Sequence, residues 1–213
     1  MPPILIWNKC IRVSSQGIGY PDYPVINSTI KCPFNCTFTT DRKFTATYRL
    51  DSSAFMPYDA LTRITPTTPK EYIWDQKEVL AIVKNKTKLA FQALSHCNSE
   101  SGRDLISKKL QKLMGLEVVG VCFGRRGCDD ACYNRKNHMF YLALENNICH
   151  NYVTEKFWNS LRSLTVPVVF SRSVFEGMDV PSNAFIALED FKSVNEFVAH
   201  LKALQNDTER YLM

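Results

Sequence analysis

A lysine, a glutamate, a tyrosine and an asparagine follow one apolar run closely enough to share a site. The run is Phe140-Tyr141-Leu142-Ala143-Leu144, the loop after it is Glu145-Asn146-Asn147, and Tyr152, Glu155 and Lys156 come shortly after. An ammonium in the first turn of a helix, beside free N–H groups and the positive end of the helix dipole, is a place to hold a phosphate or another anion. Arg103, near the start of an earlier helical stretch, is a second candidate cation. Each residue also has a plainer reading. Glu155 and Lys156 fit solvated charges at a helix start, Arg103 a surface residue, Asn146 a turn residue and Tyr152 a packing residue.

The elements around these residues favour a site. The run from Phe140 to Leu144 is short and continuous, as in a strand buried on both faces, and a helix begins near Val153. Strand, polar loop and helix N-terminus in that order place an anion at the carboxyl edge of a parallel sheet. Neighbouring segments repeat the alternation: strands at Lys88–Leu94, Leu116–Cys122, Val166–Phe170 and Ala184–Leu188, and helices at Ser99–Met114 and Ser193–Leu204. Before them, Asp75 is an N-cap for a helix to Lys84, and Pro57, Pro66 and Pro69 mark a connector. Strands are expected at Ile4–Trp7, Cys36–Thr40 and Phe44–Leu50, with loop between 8 and 34. Two domains follow, a partial one over 1–84 and a Rossmann-type one over 85–213.

Composition narrows the partners. With 45% hydrophobic and 22% charged residues the chain is an ordinary folded protein, and a net charge of +5 without any Lys/Arg run suits an anionic small molecule rather than nucleic acid. Its eight cysteines fit a disulfide set, with Cys32 and Cys36 a local pair; the rival is a metal site of Cys122, Cys128, Cys132 and His138, whose spacing matches no common zinc pattern. Sequons at Asn27, Asn35, Asn85 and Asn206 favour the secretory pathway. The start, Met1-Pro2-Pro3-Ile4-Leu5-Ile6-Trp7, has no basic leader and no span of ~20 apolar residues. A fragment or an incomplete gene model is therefore expected.

Phe140 to Asn147 with Tyr152-Val153-Thr154-Glu155-Lys156-Phe157 resembles the donor-binding signature of the α-1,3-fucosyltransferases, glycosyltransferase family 10. Val166–Val169, Val180–Ile186, Glu189–Ser193 and Tyr48-Arg49-Leu50-Asp51-Ser52 with Pro57-Tyr58 resemble the family in the same order. The resemblance implies a GT-B-like α/β fold with a C-terminal donor domain, and inverting transfer of L-fucose from GDP-fucose to N-acetylglucosamine of a glycan. It implies pyrophosphate contacts for Arg103 and Lys156, ribose contacts for Glu155, and a donor lining of Asn146 and Tyr152, with Ser95 and Tyr48 at the nucleotide. His96 stands where the family commonly has Asn. It further implies a Golgi enzyme, membrane-anchored in the family, that requires no cofactor; a divalent metal would be at most stimulatory.

The pattern breaks at the base. The family's general-base Glu precedes the Tyr-Arg-x-Asp-Ser segment, whereas the first Glu here is Glu71. Thr39-Thr40-Asp41-Arg42 resembles an early family element and runs directly into Lys43-Phe44-Thr45. A shortened family member is expected, its transfer weakened by the loss of the base. The alternative is a catalytically inactive nucleotide-sugar-binding or structural protein derived from the same family.

Overall fold

A computed structural model describes residues 46–52, 54–124 and 137–212. The expected strands at Ile4–Trp7 and Cys36–Thr40, the Cys32–Cys36 pair and most of the loop from Gly124 to Cys132 lie outside these residues. The chain divides into two compact units, Met1–Tyr58 and Asp59–Met213.

In the first unit, β1 (Ala46–Thr47) pairs in parallel with β2 (Ala54–Phe55). The strand expected from Phe44 to Leu50 ends at Thr47 because the next residues close a turn on themselves. Arg49 donates to both Asp51 carboxylate oxygens, at 2.7 and 2.6 Å, and Ser52 Oγ donates to the carbonyls of Arg49 and Thr47. Tyr48 is buried.

The second unit is built on β5 (His138–Leu142), every residue of which is buried. Phe140, Leu142 and the following Leu144 face one apolar layer, while Tyr141 and Ala143 face the other. A strand apolar on both sides can rest only inside a sheet covered twice, each such side chain contributing roughly 2 kcal/mol. The flanking strands are β3 (Lys88–Ala93), β4 (Glu117–Val119), β6 (Val166–Val169) and β7 (Ile186–Ala187). The order is β4-β3-β5-β6-β7, and all neighbours are parallel. One face carries α2 (Arg103–Met114), α4 (Val194–Gln205) and α5 (Thr208–Leu212), through Leu110, Phe197, Leu201 and Tyr211. The other carries α3 (Glu155–Arg162), through Phe157 and Trp158. Val83 adds α1 (Gln76–Lys84) to the first face, and Asp75 caps it by accepting from Lys77 N and Glu78 N, as expected. The chain leaves β3 outward to β4 and then crosses back to β5, so the switch point of the sheet lies between β3 and β5.

In the second unit two boundaries differ from the sequence expectation by three residues or more. The helix expected from Ser99 begins at Arg103, because Gly102 is left-handed at φ 69° and Asp104 reaches back to accept from Ser99 N and Oγ. The strand expected to run to Cys122 ends at Val119, because Gly120 has φ 115° and residues 121–123 form a 3-10 turn. A Cβ on Gly120 would lie 2.0 Å from the Leu94 carbonyl oxygen. Gly120→Ala is therefore expected to cost about 3 kcal/mol or more in chemical denaturation. Gly115→Ala, left-handed but with open space around it, should cost only about 1–2 kcal/mol.

At the amino edge of the sheet, the buried Lys86 Nζ donates to the His138 carbonyl at 2.8 Å and to Thr165 Oγ1 at 3.2 Å. Burial pushes Lys86 down from 10.5 to about 8. Between those values the unfolded chain keeps the proton and the folded chain has released it, so stability rises with pH across that window. Below pH 8 both states are charged and the burial cost is fully present. Urea midpoints on either side of pH 8 should show this rise in the wild type and not in Lys86→Met.

Candidate functional site

Beyond β3 the chain runs through buried Leu94 to exposed Ser95 and His96, and Cys97 is then disulfide-bonded to Cys122, with Cα atoms 5.3 Å apart. This loop is stitched to the end of β5. Ser101 N donates to the Asn146 carbonyl at 3.0 Å, and Ser101 Oγ to the Glu145 carbonyl at 2.7 Å. Arg103, only 2% exposed, donates Nη1 to the Leu144 carbonyl and Nη2 to the His96 carbonyl, both at 2.9 Å. Its guanidinium thus straddles the switch point. Burial pushes its pKa down, opposed by the carboxylates of Glu145 and Asp104.

Glu145 follows directly, and its carboxylate is nine-tenths buried. Its Oε1 accepts from Thr154 N at 2.9 Å and Thr154 Oγ1 at 2.6 Å; its Oε2 accepts from Lys156 Nζ at 3.1 Å. The N-terminus of α3 therefore holds an anion from the chain itself. Lys156 Nζ also donates to Thr154 Oγ1 at 3.0 Å and to Glu155 Oε1 at 3.2 Å. Burial pushes Lys156 down, but Glu145 and Glu155 outweigh it and the net shift is upward. For Glu155 burial pushes upward, Lys156 outweighs it, and the carboxyl lies below its usual range. Two cations, Arg103 and Lys156, are thus surrounded by the carboxylates of Glu145, Glu155 and Asp104.

The loop between Asn146 and Thr154 is fixed as well. Tyr152 OH donates to Asn146 Oδ1 at 3.1 Å, and Asn151, at φ 60°, accepts no strain without return: its N–H reaches the Val174 carbonyl at 2.8 Å and its Nδ2 the Glu176 carbonyl at 2.9 Å. Cys149 is disulfide-bonded. Beside Glu145 lies a small apolar concavity walled by Ile148, Tyr152, Val153 and Phe170.

Of the residues expected at the site, Ser95, Arg103, Asn146, Tyr152, Glu155 and Lys156 lie on the segments that leave the carboxyl ends of β3 and β5. Tyr48 belongs to the first unit. Sequence reasoning missed Glu145, Thr154 and Ser101. The available signal was a carboxylate closing an unbroken apolar run, a position where a charge must find partners. The rival metal set loses Cys122 to the disulfide, and among the described residues no three His, Cys, Asp or Glu side chains are grouped to hold a metal ion.

Arg103→Lys keeps the charge but cannot span both carbonyls. It is expected to lower stability by about 1–3 kcal/mol in thermal or urea denaturation, since one buried carbonyl loses its donor.

The family model described as Glycosyltransferase family 10 (fucosyltransferase) C-term matches residues 83–213. The chain is 35% identical to alpha-(1,3)-fucosyltransferase fut-1 of Caenorhabditis elegans, over 94% of this chain and 48% of that protein. It spans about half the length of the curated relatives it matches. Its fold matches a crystal structure of an α1,3-fucosyltransferase with GDP, at TM-score 0.51 and 24% identity, covering 67% of this chain and 43% of the other. A crystal structure of an α1,3-fucosyltransferase with GDP-fucose matches over the same shares, at TM-score 0.50 and 23% identity. No described helix is long and apolar enough to cross a membrane. The chain belongs to glycosyltransferase family 10, the fucosyltransferases.

Proposed function

We propose that the second unit binds GDP-fucose at the carboxyl edge of its sheet and that the chain serves the inverting transfer of L-fucose to the 3-hydroxyl of N-acetylglucosamine in a glycoprotein or glycolipid glycan. The observation that carries this reading is the convergence of Arg103 and Lys156 on the switch point between β3 and β5, within a chain of this family. The relatives solved with GDP and with GDP-fucose support the same ligand class.

In this reading the Lys156 ammonium exchanges its exposed contact with Glu155 for a pyrophosphate oxygen, and Glu155 is released toward the ribose hydroxyls. Asn146 and Tyr152, already bonded to each other, line the donor, with Ser95 at the nucleotide. The acceptor oxygen attacks the anomeric carbon as the bond from that carbon to the β-phosphate oxygen breaks. GDP departs with the electron pair, so fixed cations at the β-phosphate act mainly in the transition state, where one such group is worth on the order of 3–4 kcal/mol. With Lys156 and Arg103 in that role no divalent metal is required. The hydroxyl proton goes to a base. The segment resembling the family's approach to its base, Thr39-Thr40-Asp41-Arg42, runs directly into Lys43-Phe44-Thr45 with no Glu before Tyr48, and losing a general base slows such a step ~10²- to 10⁴-fold, so weak transfer is expected. That same observation favours the second reading, a nucleotide-sugar-binding protein without transferase activity. The family, the cysteines and the sequons support a place in the Golgi.

Calorimetric titration of the purified chain with GDP is expected to show binding that persists after chelation of divalent metals and weakens about ten-fold or more in Lys156→Ala. No affinity for GDP, or none lost in the variant, would overturn the donor site. A normal transfer rate to N-acetyllactosamine would overturn the proposed weakness.

A further inference from the structure

Lys156 and Arg103 come from different helices, yet one side chain serves both. Glu145 pairs directly with Lys156 at 3.1 Å and is the strongest charge opposing the burial of Arg103. Both its oxygens are occupied, one by the first N–H and hydroxyl of the α3 cap and one by the ammonium, while its backbone carbonyl receives Ser101 Oγ from the approach to α2. A carboxylate this buried is expensive to keep charged without partners. Here it has three donors and faces the place proposed for the diphosphate.

We propose that Glu145 is a positioning residue for diphosphate binding: the shared counter-ion that keeps Lys156 charged and fixed, so that the ligand meets a preformed cation. The inference rests on the GDP reading above. Lys156 is surrounded by Glu145 from the end of β5, Glu155 on its own helix and Tyr141 of β5, while Arg103 on α2 and Tyr152 lie across Glu145. Removing the Glu145 charge leaves Lys156 in a buried position with Glu155 alone to offset the cost. Its proton is then lost at lower pH. Binding that depends on the ammonium must fail at lower pH too.

The variant is Glu145→Gln, which keeps the size and one acceptor oxygen for Thr154. Carbon NMR of the Lys156 ε-methylene, followed through alkaline titration without ligand, should show a lower midpoint in the variant than in the wild type. GDP affinity measured across the same pH range should lose its alkaline limb earlier, by about ten-fold or more where only the wild type is still charged, with a smaller loss at neutral pH, where Lys156 keeps its charge and loses only its fixed position. A Glu145 that merely caps α3 would lower the melting temperature and move neither midpoint. Coincident titrations of Lys156 in the two proteins would overturn the proposal. A wild type that fails to bind GDP would overturn the donor reading instead, and the ligand-free titration would still decide the link between Glu145 and Lys156. Should Glu145→Gln not fold, Glu145→Asp, with its shorter reach, is expected to shift both midpoints in the same direction by less; unchanged midpoints there would overturn the proposal equally.

Discussion

One guanidinium closes the crevice on which the site depends. Where a doubly wound sheet reverses its winding, two adjacent strands send their connections apart, and carbonyls at their carboxyl ends face a gap instead of a neighbour. Leu144 and His96 supply two such carbonyls, and the Arg103 fork satisfies both. A planar group with fixed donor directions suits this task better than a point charge on a flexible stem. The loops that carry Ser95, Ser101, Glu145 and Asn146 hang from that closure, and the two Ser101 bonds reinforce it.

Charge at the site is balanced rather than accumulated. The chain as a whole carries +5, yet in the crevice Lys156 is paired with two carboxylates and Arg103 is held by backbone carbonyls. Buried ions gain from mutual attraction only when their remaining donors and acceptors are also met, and Glu145 and Lys156 each have three polar contacts. A crevice of this kind is held in shape by its own side chains. An anion reaching Lys156 must compete with the carboxylates already paired to it.

The sheet was legible because its signal is collective. The apolar run at Phe140, the Val166–Val169 strand and the Asp75 cap each state one local preference, and tertiary packing agrees with all three. Boundaries were less legible where a single residue overrides a favourable stretch. Ser99 to Gly102 read as helix until Gly102 turns left-handed, and the strand after Leu116 stops at a glycine whose neighbour is a backbone carbonyl. The gathering of these residues at the carboxyl edge of the sheet was legible, and the bonds among them were not. Nothing in the spacing tells that Arg103 spends two donors on backbone, or that Glu145, nine residues before Thr154, accepts from its N–H and hydroxyl. Such contacts join positions 41 and 9 residues apart, beyond the reach of any local pattern.

The Cys97–Cys122 bond joins the segment after β3 to the segment after β4, closing a loop of 25 residues. Such a closure stabilises by roughly 3–4 kcal/mol in chain-entropy terms. The bond also lies beside the crevice, because the His96 carbonyl that receives Arg103 belongs to the residue just before Cys97. The rim of the crevice thereby depends on its redox surroundings. In a reducing cytosol the sheet has all its apolar partners, while the rim of the crevice has lost its tether.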